Sequence, residues 1–184
     1  MNTKEETIED YFAPTIVSDA GASTTYLKLI PSEYPIPFRE SLQHFVEKTE
    51  PTTNVTVYLG LSQDPRTLGF KGENYWIYTS LDHDDTYRRR GEWVENLQPI
   101  QAYVSFPSLK DPQATSHTAE ILAWTNYSVF SKWRNQPWLH RDEEYHALKE
   151  RLTDVLIDFV DQHLPGFASL VEYKELSTPV TNEH

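Results

Sequence analysis

Residues able to do acid, base or metal chemistry are present but badly spaced for it. His83-Asp84-Asp85 offers three potential metal ligands in a row. Adjacent residues on a loop seldom converge on one ion without further ligands, and His117 and Glu120 are distant in sequence. Arg88-Arg89-Arg90 reads either as a solvated surface or as a contact to a cofactor phosphate or an acidic partner. Glu143, Glu144 and His146 fall in the first turn of an expected helix, where the helix dipole accounts for the acids. No GxGxxG, P-loop or GxSxG segment occurs, and no Ser/His/Asp grouping suggests a triad. With no cysteine, disulfides and thiolate chemistry are excluded. The reading therefore assigns no catalytic residue and no metal ligand.

The rings are more informative than the ionisable groups. Aromatic residues make up 13% of the chain, so much of the buried or binding area must come from them. Trp76 and Tyr78 share one face of an expected strand. Tyr58, Tyr103 and Trp124 lie opposite the aliphatic face of theirs. Two readings stay open: ordinary packing of a second sheet face, or the wall of an elongated apolar ligand site.

The elements that would position these rings form an α+β pattern. Strands are expected at Thr53–Leu61, Tyr75–Ser80, Ile100–Leu109, Thr118–Tyr127 and Ser169–Leu176. An amphipathic helix is expected over Asp142–His163, with Tyr145, Leu148, Leu152, Val155, Leu156 and Phe159 on one stripe. A shorter helix begins near Pro37 and carries Phe38, Leu42, Phe45 and Val46. Short connections predict a mainly antiparallel or mixed sheet of about five strands with helices on one face.

Composition narrows the partners. The net charge of −12 disfavours nucleic acid and anionic membrane surfaces. No run approaches the roughly 18 apolar residues of a membrane span, and the first residues lack a signal peptide's apolar stretch. A cytoplasmic location is the expectation, with a parent protein peripheral to a membrane compatible with it.

Ahead of the sheet lies APTIVSDAGA, Ala13–Ala22. It reads as a short strand, Thr15–Val17, a small-residue turn, Ser18–Ala22, and a helix-compatible run, Ser23–Leu29. Ile16–Ala22 followed by Thr25–Pro31 resembles a segment of the FAD-dependent phytoene desaturase, carotene isomerase and retinol saturase family. Val55–Tyr78 resembles the start of that family's substrate domain, and Glu175–His184 the segment returning toward the flavin. The resemblance covers nearly all of residues 13–184, although the dinucleotide-binding βαβ unit and the glycine-rich final segment of the family are not found.

The resemblance implies an interior piece of a longer oxidoreductase or isomerase acting on a carotenoid or retinoid polyene. Residues 1–12 would be frayed, 13–31 a stub of the flavin domain, 32–176 the substrate domain and 177–184 the return segment. Ser18, Asp19, Ala20, Gly21 and Ala22, with Thr178, Pro179 and Thr181, would face the flavin. Tyr58, Trp76, Tyr78, Tyr103 and Trp124 would face the polyene. FAD would belong to the parent, and the chain alone is expected to hold none and to be inactive. Its partners would be the missing flavin domain and an apolar polyene, with self-association through the uncovered face. The alternative is a stand-alone α+β ligand-binding or dimerisation module without catalytic activity.

Overall fold

A computed structural model describes residues 10–50, 52–137 and 139–182. Two compact units divide it, Met1–Thr49 and Glu50–His184. The flavin/substrate boundary expected after Pro31 lies inside the first of them.

In the first unit the expected strand Thr15–Val17 is absent. That stretch joins no ladder, and Ile16 is 81% exposed. Gly21 follows with φ of 78°, a conformation open to glycine and costly for other residues. It heads one turn of helix, α1 (Ala22–Thr24), which widens into a π-helical turn over Thr25–Leu29. α2 spans Arg39–Lys48, near the expected place. Its Arg39 guanidinium donates to the carbonyls of Ile30, Pro31 and Tyr34, tying down the proline-rich stretch that has few donors of its own. The anticipated apolar stripe stays on the surface, however: Phe38, Phe45 and Val46 are all exposed.

The second unit is built on one antiparallel sheet of five strands in the order β2-β3-β4-β1-β5. The strands are β1 (Thr52–Leu61), β2 (Tyr75–Tyr78), β3 (Gln101–Ser105), β4 (His117–Asn126) and β5 (Val171–Ser177). β3 is shorter than the anticipated Ile100–Leu109. Pro107 has no amide hydrogen for the ladder and instead opens a helical turn, α5 (Pro107–Lys110). At the β1–β5 seam the register shifts beside Gly60. A side chain there would approach Tyr173 Cβ to 3.1 Å, so any larger residue would need the seam to give by a few tenths of an ångström.

Period-two alternation sorts the sheet into two unlike faces. Val55, Val57, Leu59 and Leu61 pair across to Ala123, Ile121, Ala119 and His117. Val104 and Leu176 continue the first face on either side, and Ala102 faces Ile77. All of these apolar residues are buried. The long helix α6 (Glu143–His163) contacts β3 and β5 and buries Leu152, Leu156, Ile157, Phe159 and Val160. The stripe is thus rotated from expectation. Leu148 and Val155 are only partly buried, while Ile157 and Val160 go inside. Each fully buried side chain of this kind contributes about 1.5–3 kcal/mol relative to exposure.

Short elements complete the core. α3 (His83–Arg88) is capped by Asp82, and α4 (Glu92–Asn96) delivers Trp93 into the interior. The Trp93 indole and the Gln101 amide both donate to the Trp124 carbonyl, at 2.7 and 3.2 Å. α6 begins at Asp142, whose carboxylate accepts from the Gln136 side chain, the Tyr145 amide and the Trp133 indole. The last described residues form α7 (Pro179–Asn182). Among the described residues no helix is long and apolar enough to cross a membrane.

Candidate functional site

The open face of the sheet collects the rings. Register places Trp76 opposite Tyr103, Tyr103 opposite Leu122, and Leu122 opposite Thr56, one row running across four strands. Trp76 and Tyr103 touch, with ring centroids 4.8 Å apart. One step along, Tyr78 pairs with Gln101 and Asn54 pairs with Trp124. Tyr58 sits between Glu120 and Glu175. All five ring residues expected on this face are therefore on it. Trp76 is 57% exposed and Tyr58 50%, whereas Tyr78, Tyr103 and Trp124 are half-buried.

The face is chemically graded. Its β2–β3–β4 side is a strip of Trp76, Tyr103 and Leu122. Beside the strip, Lys110 Nζ donates to Ser105 Oγ at 2.7 Å and to Asn74 Oδ1, so the ammonium is anchored at one end. The β1–β5 side is acidic. There Tyr173, also exposed, donates to Glu175 at 2.9 Å, and that bond to a carboxylate raises the phenol's pKa. Among the described residues no imidazole is paired with a hydroxyl nucleophile on this face. Rings, hydroxyls and one anchored ammonium can bind and orient a flat apolar molecule, but they supply no acid–base pair. Tyr173, Lys110 and Gln101 were not anticipated. Tyr173 follows from strand parity, since it faces Gly60 and hence the side of Tyr58. Lys110 was hidden by the expectation that β3 ran to Leu109.

The residues expected to face a flavin fall in two sets, one in each unit. In the first, Ser18 Oγ lies 2.7 Å from Thr25 Oγ1, and the Ala20 amide leans on the same oxygen. Asp19, Ala20 and Ala22 are exposed, and nothing lies within 4 Å of a Cβ placed on Gly21. A cavity of about 730 Å³ adjoins this turn, walled by Ile16, Val17, Tyr26 and Leu29. In the second set, Thr178 and Pro179 are buried. The Tyr145 hydroxyl lies 2.8 Å from Thr178 Oγ1 and 3.1 Å from Thr181 Oγ1. The turn exposes its atoms, and Thr181 is only partly buried, its hydroxyl bonded to Tyr145 and Thr178. Thr178 and Pro179 are enclosed within this chain, and the Thr178 hydroxyl bonds the Tyr145 hydroxyl.

The charged motifs resolve into local structure. His83 packs edge-on against Tyr78 at 4.9 Å, and Asp85 binds Arg88 and Arg89. Among the described residues no three histidines or carboxylates are grouped to hold a metal ion. Arg90 departs from the solvated reading of its triplet. It is buried, lies 4.0 Å over the Tyr87 ring, and donates to the carbonyls of Tyr87 and Glu50. It serves as an internal strap rather than a phosphate contact.

Comparison with known proteins gives one consistent set of relatives. The chain is 28% identical over 182 residues to an all-trans-retinol 13,14-reductase of Danio rerio, covering 94% of this chain and 30% of the relative. It is 21% identical over 190 residues to the protein of that name in Rattus norvegicus, covering 98% and 31%. An inactive all-trans-retinol 13,14-reductase of Danio rerio is 26% identical over 191 residues, again covering 98% and 31%. The chain thus spans about a third of the length of the curated relatives it matches. No protein-family model and no solved structure matches.

Proposed function

We propose that this chain is the retinoid-facing segment of a retinol reductase-like oxidoreductase. The observation that carries the reading is the open sheet face, where Trp76, Tyr103 and Leu122 form a continuous apolar strip flanked by Tyr78, Trp124 and Tyr58. A conjugated chain is long, flat and apolar, and rings offer it large contact area at low entropic cost. The names of the relatives supply the ligand class.

In this reading the rest of the oxidoreductase binds FAD, which when bound supplies the hydride chemistry. The Ser18–Ala22 turn and Thr181 are the positions in this chain suited to approach it. The chain's own contribution is to hold the polyene and shed water from it. It binds without turnover, consistent with similar identity to a relative named inactive and to relatives named as reductases.

The test is a fluorescence titration of the chain with all-trans-retinol. Saturable quenching of tryptophan emission is expected, and Trp76→Ala and Trp124→Ala should each weaken it. Quenching that does not saturate, or that both substitutions leave unchanged, would remove the ring face as the site.

A further inference from the structure

A second site lies away from the ring strip, between the start of α6 and the end of β5. Arg141 is buried, and its Nη2 donates to the Val180 carbonyl at 2.9 Å. Its Nε is enclosed without a partner, and Nη1 makes no hydrogen bond to a described residue. The guanidinium carbon stands 5.0 Å from the centre of the Tyr145 ring. On the same ring, 5.8 Å from its centre, stands Lys149 Nζ. Two cations therefore converge on one buried ring, and among the described residues neither has a carboxylate within ion-pair distance. In a chain with 28 acidic and 16 basic residues this pairing is unusual, because acids are plentiful enough to have neutralised both. The ring cannot swing away, since its hydroxyl is pinned between Thr178 and Thr181.

These groups line a cavity of about 300 Å³. Leu139, Leu176 and the Tyr58 and Tyr145 rings give it apolar wall, His146 also lines it, and Glu175 borders it with a carboxylate that already accepts from the Tyr173 hydroxyl. Arg141 and Lys149 less Glu175 leave one net positive charge. In the adjoining hollow of about 270 Å³, Glu150 offsets Lys174, which also pairs with Asp154. One surplus charge beside an apolar wall matches a singly charged organic anion better than a dianion, which would leave a negative charge poorly compensated in a partly dry site.

We propose that this cavity binds a small organic carboxylate with a short apolar body, its head group between Arg141 and Lys149 and its body against Leu139 and Leu176. The inference rests on Arg141 and Lys149 and not on the retinoid reading, whose strip of Trp76, Tyr103 and Leu122 lies outside this cavity, although Tyr58 borders both.

The experiment is a titration of the isotopically labelled chain with hexanoate, 1-hexanol and inorganic phosphate, followed by amide NMR shifts. Hexanoate should saturate below about 10 mM, with shifts confined to residues around Arg141–Lys149 and Ser177–Thr181. Hexanol and phosphate should each bind at least several-fold more weakly. Lys149→Gln, at a partly exposed position, should weaken hexanoate by about three- to fivefold. Glu175→Gln should tighten it by a similar factor, an opposite sign that a merely destabilised fold would not produce. Equal affinity for hexanol would reduce the site to an apolar hollow. Equal affinity for phosphate, a weaker complex with Glu175→Gln, or no localised shifts with hexanoate would each overturn the proposal.

Discussion

Met1–Thr49 and Glu50–His184 solve the problem of apolar surface in opposite ways. In the second unit every strand turns one face inward, and α6 seals it. Among the described residues, every buried hydrophobic side chain lies between Val55 and Val180. The first unit also has amphipathic α2 and a ring pair, Tyr26–Phe38, at 4.9 Å, yet none of its described residues is fully buried. An isolated helix of 10 residues is marginal in water, and its stability comes from packing an apolar face. Patterning alone therefore does not make a core. A second surface must meet the stripe, and the described residues of the first unit offer too little of one.

The comparison is broken or sharpened by substitution at matched positions. The largest effect is expected for Leu152→Ala, which should cost about 2–5 kcal/mol in a denaturant melt of the second unit. A smaller but clear loss, about 1–3 kcal/mol, is expected for Gly60→Val, because its side chain would press on Tyr173 across the seam. Asp142→Asn should show its effect through pH. Hydrogen bonds from Gln136 and the Tyr145 amide hold the Asp142 carboxyl below its ordinary value. Its contribution is therefore present above the unfolded carboxylate pKa, near 3.9, and lost as pH falls through the lowered folded value. The thermal midpoints of wild type and Asp142→Asn should differ at neutral pH and converge on acidification. The smallest effect belongs to Phe45→Ala, below about 0.5 kcal/mol in the same melt. A loss there comparable to Leu152→Ala would mean the first unit is folded as firmly as the second.

Period-two alternation made the sheet legible. Five strands, their two faces and the membership of the ring strip follow from Thr53–Leu61, Tyr75–Ser80, Ile100–Leu109, Thr118–Tyr127 and Ser169–Leu176 read as strands, because one buried face imposes one register. Boundaries were less legible where a single residue decides them: Pro107 stops β3, and Pro107–Lys110 then carries Lys110 to the ring face. Thr15–Val17 has β-forming residues but no strand beside it in the structure, and a strand without a ladder is not one. The cation pair on Tyr145 was hidden for a different reason. Arg141, Tyr145 and Lys149 are spaced four apart, which signals shared neighbourhood at a helix start, but the burial of the Arg141 guanidinium against the Val180 carbonyl involves a residue far along the chain.

The sheet ends in two different margins, and this limits how copies of the chain can meet. β2 offers four residues for a further strand to pair with, and β5 carries Glu172 and Lys174 along its length. Short or charged margins resist strand addition. Concentrating the protein should therefore leave its β content unchanged, and any assembly must form through side chains meeting face to face. Such an assembly dissolves when its rings are replaced and is indifferent to backbone hydrogen bonding. It would be finite, since a face once covered offers nothing more, whereas an open margin could be extended without limit.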